Sequence, residues 1–134
     1  MMQTLKIAVA TLPFQQPIRQ AVQTAATTGA SGLQIDARNE LRPGDLSETG
    51  RRQFLHMLSE MQLSVASVTF PVRRALQEPE ALDARIAALK QAMDFAYQLK
   101  ARVLTTRLSD LPDDPDSRSA VTLQEILEDL SSHA

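Results

Sequence analysis

Four strand-like runs, each followed by an amphipathic stretch, recur along this chain and restrict it to an alternating α/β fold. The runs are LKIAVAT from Leu5, GLQIDA from Gly32, SVASVTF from Ser64 and RVLTTRL from Arg102. Their starts are spaced by about 27 to 38 residues, the length of one strand–helix unit. Strands separated by helices pair in parallel through right-handed crossovers, with helices covering a face of the sheet. The 134 residues fit one domain. Hydrophobic residues make up 43% of them, aromatics only 4%, and Trp is absent, so the core must be aliphatic.

The first run, Leu5 to Thr11, reads as a buried strand stopped by Pro13. Pro17 suits the first position of a helix, where its missing N–H is not needed. Ile18, Val22, Ala25 and Ala26 follow at helical spacing, and Gly29 supplies a stop. The second strand spans residues 32–37 and leads into the polar loop RNELRPGDL. Ser47 is placed to cap a second helix whose apolar face is Phe54, Leu55, Leu58 and Met61. The third strand, 64–70, closes at Pro71. Pro79 can open a third helix with the stripe Leu82, Ile86, Leu89, Met93 and Ala96. Phe95 and Tyr97 fit core and helix edge. The fourth strand is 102–108, and a last helix begins near Ser119, carrying Leu123, Ile126, Leu127 and Leu130.

No GxGxxG or GxxxxGK[ST] loop is present, and the first strand–helix turn, TLPFQQP, contains no Gly. Dinucleotide and P-loop chemistry are therefore not signalled. The expected fold is a parallel (βα)4 half of a TIM (βα)8 barrel over residues 1–134, truncated in the fourth helix. A flavodoxin-like open sheet is the second reading, but Thr11, Leu12 and Pro13 do not supply the acidic cluster of a receiver domain. With 14 basic and 16 acidic residues, nothing in the charge favours nucleic acid. The absence of Cys removes disulfides, thiolate metal sites and Cys nucleophiles, and fits a cytoplasmic protein. The apolar run near the N-terminus is too short to span a membrane, and no targeting signal is visible.

In such a barrel the site lies at the C-terminal ends of the strands. That rule selects Thr11 and Phe14, then Asp36, Arg38 and Asn39, then Thr69, Arg73 and Arg74, and finally Arg107, Ser109 and Asp110. In the second strand, Leu33 and Ile35 share one face while Gln34 and Asp36 share the other. The polar face is expected to look into the barrel, with Asp36 near the mouth. A carboxylate there can bind a sugar hydroxyl, act as a base or support a metal ligand. Alternatively, it pairs with Arg38 or Arg107 and only orders the rim. Arg38, Arg73, Arg74 and Arg107 all fall at this end. Arg captures phosphate or carboxylate in bidentate fashion, so the expected substrate-binding residues are Asp36, Arg38, Arg73, Arg74 and Arg107, with a solvated, internally paired rim as the alternative. No catalytic residue is assigned.

His56 lies off the apolar stripe of the second helix and His133 is next to the last residue, so neither reads as a ligand or base. No metal site is expected in this chain, because its His and carboxylates do not converge in sequence. Asp113, Asp114 and Asp116 lack the EF-hand pattern and read as a solvated turn before a helix N-terminus.

The segments GASGLQIDARNELRP (29–43), LSETGRRQFLHMLSEMQLSVASVTFPVRR (46–74) and LDARIAALKQAMDFAYQLKARVLTTRL (82–108) resemble the N-terminal half of the sugar phosphate isomerase/epimerase family, the xylose-isomerase-like barrels. The resemblance covers nearly the whole chain and is architectural rather than catalytic. It implies a divalent metal that polarises a sugar carbonyl and hydroxyl, carboxylates that move protons, and metal ligands on the later strands. Related endonuclease-type barrels place His ligands after the third and fourth strands. Here those ends read Thr69-Phe70-Pro71 and Thr106-Arg107-Leu108, which departs from that branch. The early catalytic His of xylose isomerases proper is also missing. The expected function is thus a sugar or sugar phosphate isomerase/epimerase in the full-length barrel, with this chain alone inactive; the alternative is a non-catalytic half-barrel binding or assembly module. A half barrel leaves two strand edges and its inner face open. Its expected partners are therefore a sugar or sugar phosphate and either the missing C-terminal half or a second copy, with no nucleic acid and no membrane.

Overall fold

A computed structural model describes residues 5–134. Residues 1–4, which precede the first strand-like run, lie outside them. The four strands are β1 (Ala8–Ala10), β2 (Gly32–Asp36), β3 (Ser64–Thr69) and β4 (Leu104–Thr105), all parallel and ordered β1-β2-β3-β4. The helices α1 (Ile18–Ala26), α2 (Glu48–Glu60), α3 (Leu82–Gln98) and α4 (Arg118–His133) alternate with them. This is four successive βα units with sequential neighbours, as one half of a TIM barrel has.

Local chemistry explains the boundaries. Pro17 stands just before α1 as its N-cap, one position earlier than expected. Gly29 takes φ of +82°, a left-handed conformation that a Cβ disfavours. Ser47 and Ser117 cap α2 and α4 by accepting from the backbone N–H of Gly50 and Ala120 at 3.0 and 3.1 Å. The third helix starts at Leu82, not at Pro79, because Ala81 sits in the left-handed region at φ +56°. Two strands are shorter than the sequence suggests. The run 5–11 forms ladder only over Ala8–Ala10, and 102–108 only over Leu104–Thr105. Both are edge strands with a neighbour on one side alone, so fewer of their residues have ladder partners.

The core lies between the sheet and the helices. Leu33 and Ile35 of β2 and Val65 and Val68 of β3 pack with Leu58 of α2 and with Leu89, Ala92 and Phe95 of α3. Val65 and Val68 are three apart yet share the buried side. Strict alternation forbids this, but a bulge inserts Ala66, since Leu33 aligns with Val65 and Gln34 with Ser67. On α3, Phe95 and Ala96 are buried while Tyr97 is 83% exposed. On α4, Leu123 and Ile126 enter the core and Leu127 stays exposed.

The other face of the sheet is open and built of small or polar residues, among them Ala8, Ala10, Ser64, Ala66 and Thr105. It is concave: Gln34 Nε2 donates to Thr105 Oγ1 at 3.4 Å although β3 lies between their strands. Gly32 belongs to this face. A Cβ there would lie 3.0 Å from the Ala66 Cβ and 3.2 Å from the Ala8 Cβ.

Candidate functional site at the strand ends

The C-terminal ends of β2 and β3 and the loops after them carry most of the polar groups singled out above. Asp36 closes β2 and is 5% exposed. Its Oδ1 accepts from the backbone N–H groups of Arg38 and Asn39, both at 2.8 Å, and its Oδ2 accepts from Asn39 Nδ2 at 3.2 Å. This is an Asx-type turn, in which the carboxylate holds the loop entry. Asp36 therefore holds the loop through backbone amides and Asn39, not through the guanidinium of Arg38 or Arg107.

Arg38 reaches from this loop to the next. Its Nη1 donates to the Pro71 carbonyl at 3.0 Å, and its guanidinium lies 5.4 Å from the centroid of the Phe70 ring. The side chain thus ties the ends of β2 and β3 together. Arg73 and Arg74 follow on the β3–α3 loop and are exposed. Arg74 pairs with Glu80 at 2.6 Å, whereas Arg73 makes no hydrogen bond among the described residues. Arg38, Arg73 and Arg74 line one open cleft of about 770 Å³ between the β2–α2 loop and α3. Arg107 is exposed at the end of β4 and does not line that cleft.

Three residues that the sequence reading passed over contribute to this end. Arg42 and Arg85 line the same cleft. Arg85 is a loop clamp, donating to the carbonyls of Leu76, Glu78 and Glu80. Arg42 donates through Nε to the Arg38 carbonyl at 3.3 Å, and its backbone N–H is held by Asp45 Oδ2 at 2.8 Å. Arg42 was visible as the second Arg of the polar loop RNELRPGDL. Arg85 was masked as a charge on a helix face.

The third is Glu40. β1 ends in a 3-10 turn at Leu12–Phe14, so past Thr11 the β2 backbone has no strand acceptor on that side. Glu40 replaces it: its Oε1 accepts from the Asp36 N–H at 3.2 Å and from the buried Thr11 hydroxyl at 2.8 Å. Its Oε2 is buried without a partner among the described residues. Burial pushes the Glu40 carboxyl above its ordinary range; the bonds from Thr11 and the Asp36 amide pull the other way, and the Asp36 charge adds to the rise.

These carboxylates do not form a metal site. Asp36 spends both oxygens on its turn, and Glu40 holds a strand end. His56 and His133 sit on helices beside Glu60 and Asp94, at 2.9 and 2.8 Å. Among the described residues, no three His, Cys, Asp or Glu side chains gather at one point. The divalent metal implied by the family resemblance does not fit the donors present here.

Comparison with known proteins places the fold. No family model matches the chain, and no curated protein matches its sequence. Solved structures do match. The chain superimposes on a xylose isomerase domain protein from Planctomyces limnophilus with a TM-score of 0.78 and 17% identity, covering 96% of this chain and 49% of that one. It superimposes on the probable 3-DHS dehydratase AsbF from Bacillus anthracis, involved in petrobactin synthesis, at 0.68 and 19%, covering 96% and 49%. It matches a sugar phosphate isomerase/epimerase from Parabacteroides distasonis at 0.60 and 16%, covering 96% and 46%. The fold is that of half a TIM barrel, shared with these structures. The chain spans about half the length of each of these structures. Among the described residues, no helix is long and apolar enough to cross a membrane.

Proposed function

We propose that this chain forms half of a barrel that isomerises or epimerises a sugar or sugar phosphate by proton transfer beside a carbonyl. The observation that carries the reading is the match, over 96% of the chain, to the xylose isomerase domain protein. The concave face supports it. It is lined by small and polar side chains, Ala8, Ala10, Gln34, Ser64 and Thr105, which leave room for a hydroxylated ligand where large apolar residues would fill the interior. Arg38, Arg73, Arg74 and Arg107 serve as the substrate-facing rim, and Asp36 serves it by fixing the loop that carries Arg38. Proton-transferring groups and the ligands of a divalent metal come from the complementary half, so the chain alone is inactive. The cytoplasm is the compartment that fits a Cys-free sugar enzyme.

The test is proton exchange in D2O. A complete barrel containing this chain, supplied with Mg2+ or Mn2+, is incubated with ketoses and ketose phosphates and followed by NMR. Deuterium should enter beside the carbonyl, and the isolated chain should give none. No exchange with any of them would reject the reading. It would leave the binding or assembly module as the reading.

A further inference from the structure

The cleft between the β2–α2 loop and α3 carries more positive charge than the fold uses. Arg38, Arg42, Arg73, Arg74 and Arg85 line it. Only two carboxylates accompany them: Asp45, which also lines the cleft, and Glu80, which is paired with Arg74. Arg38 and Arg85 donate to carbonyls, which satisfy their N–H groups without neutralising them. Among the described residues Arg73 has no hydrogen-bond partner, and the Arg42 guanidinium donates through Nε alone. Guanidiniums crowded in this way repel one another, and an anion placed between them relieves that repulsion.

The shape agrees with a small ligand. A volume of about 770 Å³ falls within the range of small-molecule pockets. Ala81, just before α3, and Ala84 and Ala88 on it form a low wall along it. The N-terminal turn of α3 also opens here, and no side chain caps it. Its amide N–H groups and dipole add to the positive field.

We infer that this cleft binds a phosphate-bearing small molecule, with Arg42 and Arg73 as the principal ligands and Arg38 as a fixed wall. The site needs a dianion rather than a lone carboxylate: among the described residues four of the five guanidiniums form no ion pair, and a phosphate monoester carries about −1.5 to −2 charge at neutral pH. A phosphate also presents three oxygens, enough to meet two Arg forks from different loops at once. The inference rests on the reading that this rim meets a ligand, and it specifies the ligand's class; it does not depend on the reaction.

Isothermal titration of the full chain with inorganic phosphate, at ionic strength held constant with chloride, tests it. Saturable binding is expected. The double variant Arg42→Ala/Arg73→Ala should lose at least about tenfold in affinity, the size expected for losing charge-assisted hydrogen bonds. Arg102→Ala, at the opposite end of β4, should bind as the parent does. Arg73→Glu reports on the same site from an exposed residue that forms no ion pair, and it should abolish binding. Absence of saturable binding overturns the inference, as does equal affinity in the double variant or an equal loss in Arg102→Ala. Phosphate binding without sugar exchange would reject only the proposed reaction, and exchange without phosphate binding would reject only this site.

Discussion

Replacing Glu40 separates its two roles, as acceptor and as buried charge. In Glu40→Ala the Asp36 N–H loses the acceptor that Glu40 gives it, and the Thr11 hydroxyl is left with the Gln34 carbonyl at 3.4 Å, a long contact. Stranding one buried donor costs about 1–3 kcal/mol. With the weakened Thr11 bond added, the expected loss is about 2–4 kcal/mol. Glu40→Gln keeps a carbonyl oxygen for both donors but removes the charge. Because the folded-state pKa of Glu40 is raised above its ordinary 4.5, its protonation favours the fold below that value, and this contribution is lost as pH rises through the folded-state pKa. The parent should therefore weaken relative to Glu40→Gln as pH rises above the ordinary carboxyl value of 4.5. The amide NH2 that replaces the unpartnered Oε2 in Gln shifts the whole curve without changing its slope. Urea denaturation followed by circular dichroism at several pH values reads both effects. Parallel curves for the parent and Glu40→Gln would refute the buried-charge argument, and a Glu40→Ala chain as stable as the parent would refute the role at the strand end.

Gly32→Val should destabilise by about 1–3 kcal/mol, because its Cβ would meet the Ala66 and Ala8 methyls at 3.0 and 3.2 Å. Adding Ala66→Gly should recover part of that loss in thermal melts, and no recovery would show that the contact is not the cause. The isolated chain exposes edge strands β1 and β4, with Leu5, Ile7 and Val103 open to solvent. Light scattering is therefore expected to give a dimer or larger species, and a monodisperse monomer would contradict this.

The alternation of four strands with four helices, the Ser47 cap, the Gly29 stop and the split of β2 into a buried Leu33–Ile35 face and a polar one were all legible in the sequence. Each depends on neighbours a few residues away, so local periodicity and capping chemistry suffice to read it. The ladder lengths of β1 and β4 were not, because a strand's extent depends on the partner beside it. The bulge at Ala66 was equally hidden; it arises where β3 must match β2 and keep both Val65 and Val68 in the core. The site divides in the same way. That Arg38, Arg73 and Arg74 belong at the strand ends followed from their positions after strands. Their meeting with Arg42 and Arg85 around one cleft, with Arg107 outside it, came from how two loops and α3 pack. Asp36 reads in sequence as a carboxylate at a barrel mouth, either open to a ligand or paired with Arg38 or Arg107, and only the fold turns it onto its own loop. Glu40 acquires its role for the same reason: β1 stops early, and the amide it leaves unpaired on β2 can be met only by a side chain that the tertiary structure brings there.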